Sequence, residues 1–217
     1  EDTLAALKKE NLIIGDYNKP VYLEKNGIKA AIMFVNLWSL GDADKIIADM
    51  KKLDADTDYK IIYFHGGVEA TNYPEQWKVN ACRKLIDSGA NFVIGMHPHV
   101  LQPMEEYNGG VIFYSIGNFI FETETVEFQP WDAYHNRNMS ITDTKVGAYM
   151  DDRSKNGTAG YCVQWPIWNA VMAAWTMEDG KITEVQLYPV TLNMEKSRAQ
   201  KGKPVMNKSE KTLNYLA

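Results

Sequence analysis

Over the first 120 positions the apolar residues come in short unbroken runs divided by polar turns, and between the runs they recur at helical spacing. Val21–Glu24 and Ile28–Val35 flank Lys25-Asn26-Gly27. Asn-Gly between two apolar runs predicts a tight hairpin, because both residues tolerate positive φ. Asp42 offers an N-cap to a helix whose apolar positions are Ile46, Met50 and Leu53. Tyr59–Phe64 is rich in aromatic and β-branched residues, the pattern of a strand buried on both faces, and it stops at His65-Gly66-Gly67. A second helix is predicted from Glu75 to Ser88, with Trp77, Ala81 and Leu85 on one stripe and Gly89 as its C-cap. Phe92–Ile94 is the next buried strand and stops at Gly95-Met96-His97-Pro98-His99. Strand, helix, strand in that order is a right-handed parallel crossover. Both polar clusters then fall at the carboxyl ends of neighbouring strands, where open α/β sheets hold their ligands.

Gly110–Ser115 is a further strand, followed by Ile116-Gly117-Asn118-Phe119. From Glu122 to Gly160 the periodicity dissolves into polar sequence, and residues 122–160 read as an insertion or lid with small elements of its own. Ala170–Met177 and Lys181–Pro189 flank Glu178-Asp179-Gly180 as another hairpin. Thr3–Lys9 reads as the end of a helix, Asn11–Gly15 as a short strand, and residues 196–217 as a polar tail with a short terminal helix. The aromatics of Tyr161–Trp175 either form core or stack on a ligand.

Composition narrows the function. A chain of 217 residues with 45% hydrophobic and 24% charged residues can bury a sizeable core. A net charge of −5 argues against a nucleic-acid partner, which needs clustered cations to neutralise phosphates. The basic stretch Lys196–Lys208 reads as solvated surface. No apolar run reaches the roughly 20 residues that span a bilayer. The opening Glu1-Asp2-Thr3-Leu4 reads as the start of a fragment, with any signal or anchor upstream. Cys82 and Cys162 lack metal-site spacing and read as reduced thiols, Cys82 on the apolar face of its helix.

The candidate chemistry lies in the histidines. Pro98 disfavours a helical conformation at His97, so His97-Pro98-His99 is expected to be extended, with both imidazoles on one side. Such a pair suits a divalent metal. His65 ends the preceding parallel strand and is expected beside them, and Gly66 and Gly67 permit close backbone approach to a ligand. Glu69 is a metal ligand, a carboxylate supporting one, a proton carrier or a surface group. Ser115 lacks the Gly-x-Ser-x-Gly elbow, and no Walker A or dinucleotide fingerprint occurs.

These blocks, in order, resemble one family. Phe64-His65-Gly66-Gly67-Val68-Glu69 is similar to a His-Trp-Gly-x-Glu block with Gly66 in place of Trp. Ala90–Gln102 resembles a Gly-His-His-Pro-His-Val-Leu-Gln block with Met96 for the first His, and Tyr114–Phe119 resembles Tyr-Ser-Leu-Gly-Asn-Phe. Tyr188-Pro189-Val190 and Ser197–Gly202 look like later segments of the same series. The chain thereby resembles the C-terminal part of the poly-γ-glutamate capsule synthesis proteins, the CapA/PgsA family.

The resemblance implies an α/β (α+β) fold of layered β-sheets flanked by helices, like that of the calcineurin-like metallophosphoesterases, in a single domain that is incomplete at its N-terminus. It implies His65, His97 and His99 as metal ligands, catalytic work for His65, Glu69 and His97, and substrate contact for Gly66, Ser115 and Asn118. Asn118 is equally a turn residue after Ser115. The implied cofactor is a divalent metal, Mn, Zn or Fe, in a centre that would be dinuclear with ligands beyond these three histidines. The family's Gly-Asp, Asn-Leu-Glu and Asn-Asn-His segments have no counterpart here. Carboxylates could come from that missing part, from a second chain, or from the insertion, where Asp132, His135, Asp143, Asp151 and Asp152 lie and otherwise read as solvated loop. Two functions follow from the resemblance. One is an accessory role in capsular poly-γ-glutamate synthesis or export, with the anionic polymer and other capsule-synthesis subunits as partners. The other is metal-dependent hydrolysis of a phosphate ester. The resemblance also implies an extracytoplasmic, membrane-anchored full-length protein at a bacterial cell surface.

Overall fold

The computed structural model describes residues 2–17, 19–121, 129–178 and 180–216. The elements run α1 (Asp2–Lys9), β1 (Val21–Lys25), β2 (Ile28–Asn36), α2 (Leu40–Met50), β3 (Tyr59–His65), α3 (Gln76–Asp87), β4 (Phe92–Met96), β5 (Leu101–Tyr107), β6 (Gly110–Ile116), α4 (Trp131–His135), α5 (Val146–Arg153), β7 (Asn169–Glu178), β8 (Lys181–Thr191), β9 (Val205–Met206) and α6 (Glu210–Leu216). Six strands form one sheet in the order β1-β2-β3-β4-β6-β5, and β7-β8-β9 form a second. β2, β3, β4 and β6 are mutually parallel, while β1 and β5 close the edges antiparallel. This is the mixed α/β architecture expected, a mostly parallel sheet flanked by helices and consistent with a metallophosphoesterase-like α+β fold.

The chain divides into two compact units, Glu1–Ile116 with Ala174–Gln186, and Gly117–Ala173 with Leu187–Ala217. The core of the first lies between one face of the large sheet and α2 and α3. Phe64, Ile62, Val93 and Ile112 meet Ile46, Met50, Ala81, Cys82 and Leu85 there. Each fully buried aliphatic or aromatic side chain contributes about 1.5–3 kcal/mol. On the other face Trp175 covers Phe92, ring centroids 4.3 Å apart. In the second unit Tyr134, Val146, Tyr149 and Met150 cluster where α4 and α5 meet. These helices lie in the segment read as an insertion; its first residues, 122–128, lie outside the described residues.

Local chemistry sets the element ends. Asn26 and Gly27 take φ of 54° and 76°, the conformation that the β1–β2 hairpin needs. Asn108 and Gly109 (47° and 82°) repeat the device between β5 and β6. The cap of α2 is Ser39, not Asp42. The Ser39 hydroxyl accepts from the Asp42 amide, and the Asp42 carboxylate accepts from the Trp38 amide at 3.1 Å. Asp42 sits in the first turn, where a carboxylate also favours the helix dipole. Gly89 follows α3 at φ 100°, its amide bonded to the Ile86 carbonyl as a C-terminal glycine should be. Asn11–Gly15 forms no strand: the amides of Asn11 and Leu12 bond back to Lys8 and Leu7 at the end of α1, and an isolated bridge follows from Asp16 to Lys19. Its apolar residues Leu12 and Ile13 are exposed.

Candidate metal centre

β3 and β4 run side by side with His65 opposite Met96. His97 is therefore one residue past the end of β4, at the same rim as His65. The rim is knit by backbone bonds: the Leu37 amide donates to His65 O (3.0 Å), and the Gly66 amide to Met96 O (3.1 Å). Position 66 has no room for a side chain, since a Cβ there would sit 1.8 Å from the Leu37 carbonyl oxygen. Gly66 thus serves close backbone packing between the ends of β2 and β3.

The His-Pro-His segment is not extended. His97 has φ 106° and His99 φ 62°, so the chain bends sharply on both sides of Pro98. Proline disfavours only the helical region for its predecessor, which leaves φ free to turn positive when the surrounding bonds require it. Positive φ at bulky L-residues stores strain, of order 1–3 kcal/mol per residue, and such strain clusters at functional sites. The bend still gathers the rings. His97 lies 4.6 Å from His65 and 5.9 Å from His99, centroid to centroid.

Glu69 completes the cluster from the loop after β3. One ligand-capable atom each of Glu69, His97 and His99 lies within 4.8 Å of the other two. Glu69 Oε1 is 4.0 Å from His97 Nε2. His65 stands next to His97 without being one of those three. Burial, then the neighbouring imidazole of His65, holds His97 below the usual histidine pKa, against the opposing pull of Glu69. The neutral ring this favours is the form that binds metal. Metal–ligand bonds of ~2.1 Å place donors about 3–4 Å apart, so the three side chains would have to draw somewhat closer by rotation to share one ion. Two imidazoles and a carboxylate are donors that Zn, Mn and Fe all accept.

Trp38 is a site residue that the sequence reading missed. Its indole meets His65 and His97 edge-on, at 5.8 and 5.0 Å. The available signal was its place two residues past β2, which pairs in parallel with β3 and ends at Asn36 opposite His65. Ser115 is buried on β6, opposite Gln102 of β5. Asn118 donates from Nδ2 to the Ile167 carbonyl at 3.1 Å within the second unit. Four of the insertion's candidate side chains are also engaged within that unit. His135 stacks on Trp131 (4.3 Å), Asp152 pairs with Arg137, Asp151 with Arg198, and Asp143 accepts from Ser140.

A six-stranded, mostly parallel sheet flanked by helices makes this a mixed α/β protein, consistent with a metallophosphoesterase-like α+β fold. The sequence profile of the bacterial capsule synthesis protein PGA_cap matches residues 3–123, and the chain belongs to that family. It is 35% identical over 147 residues to the PGA biosynthesis protein CapA of Bacillus subtilis (strain 168), covering 56% of this chain and 38% of that one. It is 29% identical over 147 residues to the capsule biosynthesis protein CapA of Bacillus anthracis, covering 56% and 36%. The chain thus spans little more than a third of these relatives. A hypothetical protein from Thermus thermophilus of known crystal structure is similar at TM-score 0.43 and 16% identity, over 78% of this chain and 60% of that one, too loosely to bear on function. Among the described residues no helix is long and apolar enough to cross a membrane.

Proposed function

We propose that Glu69, His97 and His99, with His65 beside them, hold a divalent metal ion, and that this centre lets a capsule-biosynthesis protein grip the carboxylates of poly-γ-glutamate during synthesis or export. The observation that carries the reading is the convergence of the three donor atoms within 4.8 Å. That convergence comes from two different loops and is held by strained backbone at His97 and His99. The names of two Bacillus relatives, a PGA biosynthesis protein and a capsule biosynthesis protein, support this reading.

The ion, when bound, supplies Lewis acidity toward an anionic oxygen. This chain's residues do the rest. His97, kept neutral, and His99 offer imidazole nitrogens. The Trp38 indole packs edge-on against both His65 and His97 and holds the two rings together. Ligands for a second ion would come from outside this chain or from a second copy. The role belongs to the cell envelope, and we place the full-length protein on its outer side, membrane-anchored and working with other capsule-synthesis subunits.

A second reading, metal-dependent hydrolysis of a phosphate ester, is favoured by one observation. Glu69 is half-exposed and 4.0 Å from His97 Nε2, so its carboxylate can take a proton from an attacking water. Two measurements on the full-length protein separate the readings. Elemental analysis and Zn²⁺ or Mn²⁺ titration should show metal uptake that His97→Ala abolishes; no uptake sinks both. Metal-dependent retention of poly-γ-glutamate without turnover of bis(p-nitrophenyl) phosphate supports the first, and turnover lost in His97→Ala supports the second.

A further inference from the structure

Lys78 lies on α3 with no exposed surface. A buried ammonium is costly, and an apolar side chain of similar volume would ordinarily fill such a place better. Its contacts explain why a lysine stands there. Nζ donates to Gln102 Oε1 at 2.7 Å. Gln102, three residues past His99, donates from Nε2 to the Thr71 carbonyl at 2.8 Å. The Thr71 hydroxyl donates to the Val68 carbonyl at 2.9 Å, which closes the turn that carries Glu69. Nζ also lies 3.4 Å from Glu75 Oε2, as an ion pair at the start of the helix. The ammonium occupies the space a side chain at position 67 would need: a Cβ on Gly67, where φ is 108°, would come within 2.5 Å of Nζ. Gly67 is midway between His65 and Glu69.

We propose that Lys78 is a positioning residue for the metal centre: through Gln102 and Thr71 its ammonium ties the loop after β3 to the start of β5, and so sets Glu69 against His97 and His99. The proposal rests on the metal-binding reading above. Burial holds the ammonium below the usual lysine pKa, with Glu75 opposing, and the charge of Lys78 in turn disfavours protonation of His97.

The sign of one measurement separates positioning from charge. A cation near the site repels a dication, so neutralising Lys78 tightens metal binding if charge is its only effect. It weakens binding if the ammonium places Glu69. The experiment titrates full-length wild type, Lys78→Met and Gln102→Leu with Zn²⁺ and with Mn²⁺ by calorimetry. Amide hydrogen exchange is followed at residues 68–71 in the metal-free proteins. Methionine keeps the volume of Lys78, and Gln102→Leu breaks the same chain without touching a charge, so it carries the test if Lys78→Met does not fold. The expected result is metal affinity at least tenfold weaker in both variants, with lost protection at 68–71. Equal or tighter binding than wild type overturns the proposal and leaves the metal reading standing. Wild type that takes up neither metal overturns the metal reading and this proposal together, whatever the exchange shows.

Discussion

The amide of Ala70 donates a 2.8 Å hydrogen bond to the carbonyl of Pro98. Ala70 follows Glu69, and Pro98 stands between His97 and His99, so one backbone bond clips the carboxylate-bearing loop to the imidazole-bearing one. Its acceptor is backbone and survives side-chain substitution. The donor set can therefore be dismantled one side chain at a time while the loops stay in register.

Glu69→Gln and His97→Ala should each weaken Zn²⁺ and Mn²⁺ binding at least tenfold, because each removes one of the three donors that lie within 4.8 Å of one another among the described residues. Thermal stability of the metal-free protein should change little for Glu69→Gln, whose side chain is half-exposed. Calorimetric titration beside a melting curve checks both. Glu69→Gln with wild-type affinity would remove the carboxylate from the site and return it to the solvent.

Gly66→Ala should cost about 2–4 kcal/mol and lower the melting temperature by several degrees. The added methyl meets the Leu37 carbonyl at 1.8 Å, and that oxygen is backbone, unable to swing aside. The strain would part the Leu37–His65 bond that holds the ends of β2 and β3 together. Denaturant unfolding measures it, and an alanine variant as stable as wild type would mean the rim is far softer than its contacts imply.

The parallel rim was legible from sequence, since continuous apolar runs ending at His65 and before His97 need little more than periodicity and the crossover rule. The bend at His97-Pro98-His99 was not, because proline chemistry limits its neighbour without fixing the sign of φ. β5 went unread for a related reason. Its sequence carries Pro103 and two adjacent glutamates, which argue against a central strand, but β5 is the sheet's edge, where proline is tolerated. The Asn108-Gly109 turn behind it was the overlooked signal. Lys78 was invisible in a helix whose stripe was drawn through Trp77, Ala81 and Leu85; a charged residue on the core-facing side reveals itself only once Gln102 is seen to receive it.

Stability should fall on acidification in a way that Glu105→Gln removes. Glu105 on β5 accepts from Arg83 Nε at 3.0 Å and from the Tyr114 hydroxyl. The Arg83 bond first, then Tyr114, holds its carboxyl below the usual glutamate range, with burial opposing. A depressed folded-state pKa means that the unfolded chain takes up its proton at the higher pH. The contribution is then complete above the ordinary glutamate pKa of about 4.3 and is lost as pH falls through the folded value. Glu105→Gln should cost about 1 kcal/mol at pH 7, small because Arg83 is partly exposed and solvent screens the pair. The gap to wild type should narrow below pH ~4. Urea unfolding at pH 7 and at low pH tests this, and a gap that does not change with pH would deny the carboxylate its part.

His97 allows a sharper test of whether the rim is strained for metal. At φ 106° its backbone occupies a region that glycine enters freely and alanine does not. In an ordinary loop position Gly costs about 0.5–1 kcal/mol relative to Ala through chain entropy. Here the order should reverse. His97→Ala keeps the strain and loses the ring's packing against His65 and Trp38. His97→Gly loses the same packing but releases strain of about 1–3 kcal/mol. The metal-free glycine variant should therefore be more stable than the alanine variant by about 1 kcal/mol and close to wild type, while both lose metal affinity alike. Melting curves of the three metal-free proteins decide it. An alanine variant that outlasts the glycine variant would mean that the bend costs nothing, and that the convergence of His97 and His99 is an unstrained property of the loop rather than conformational energy held for a ligand.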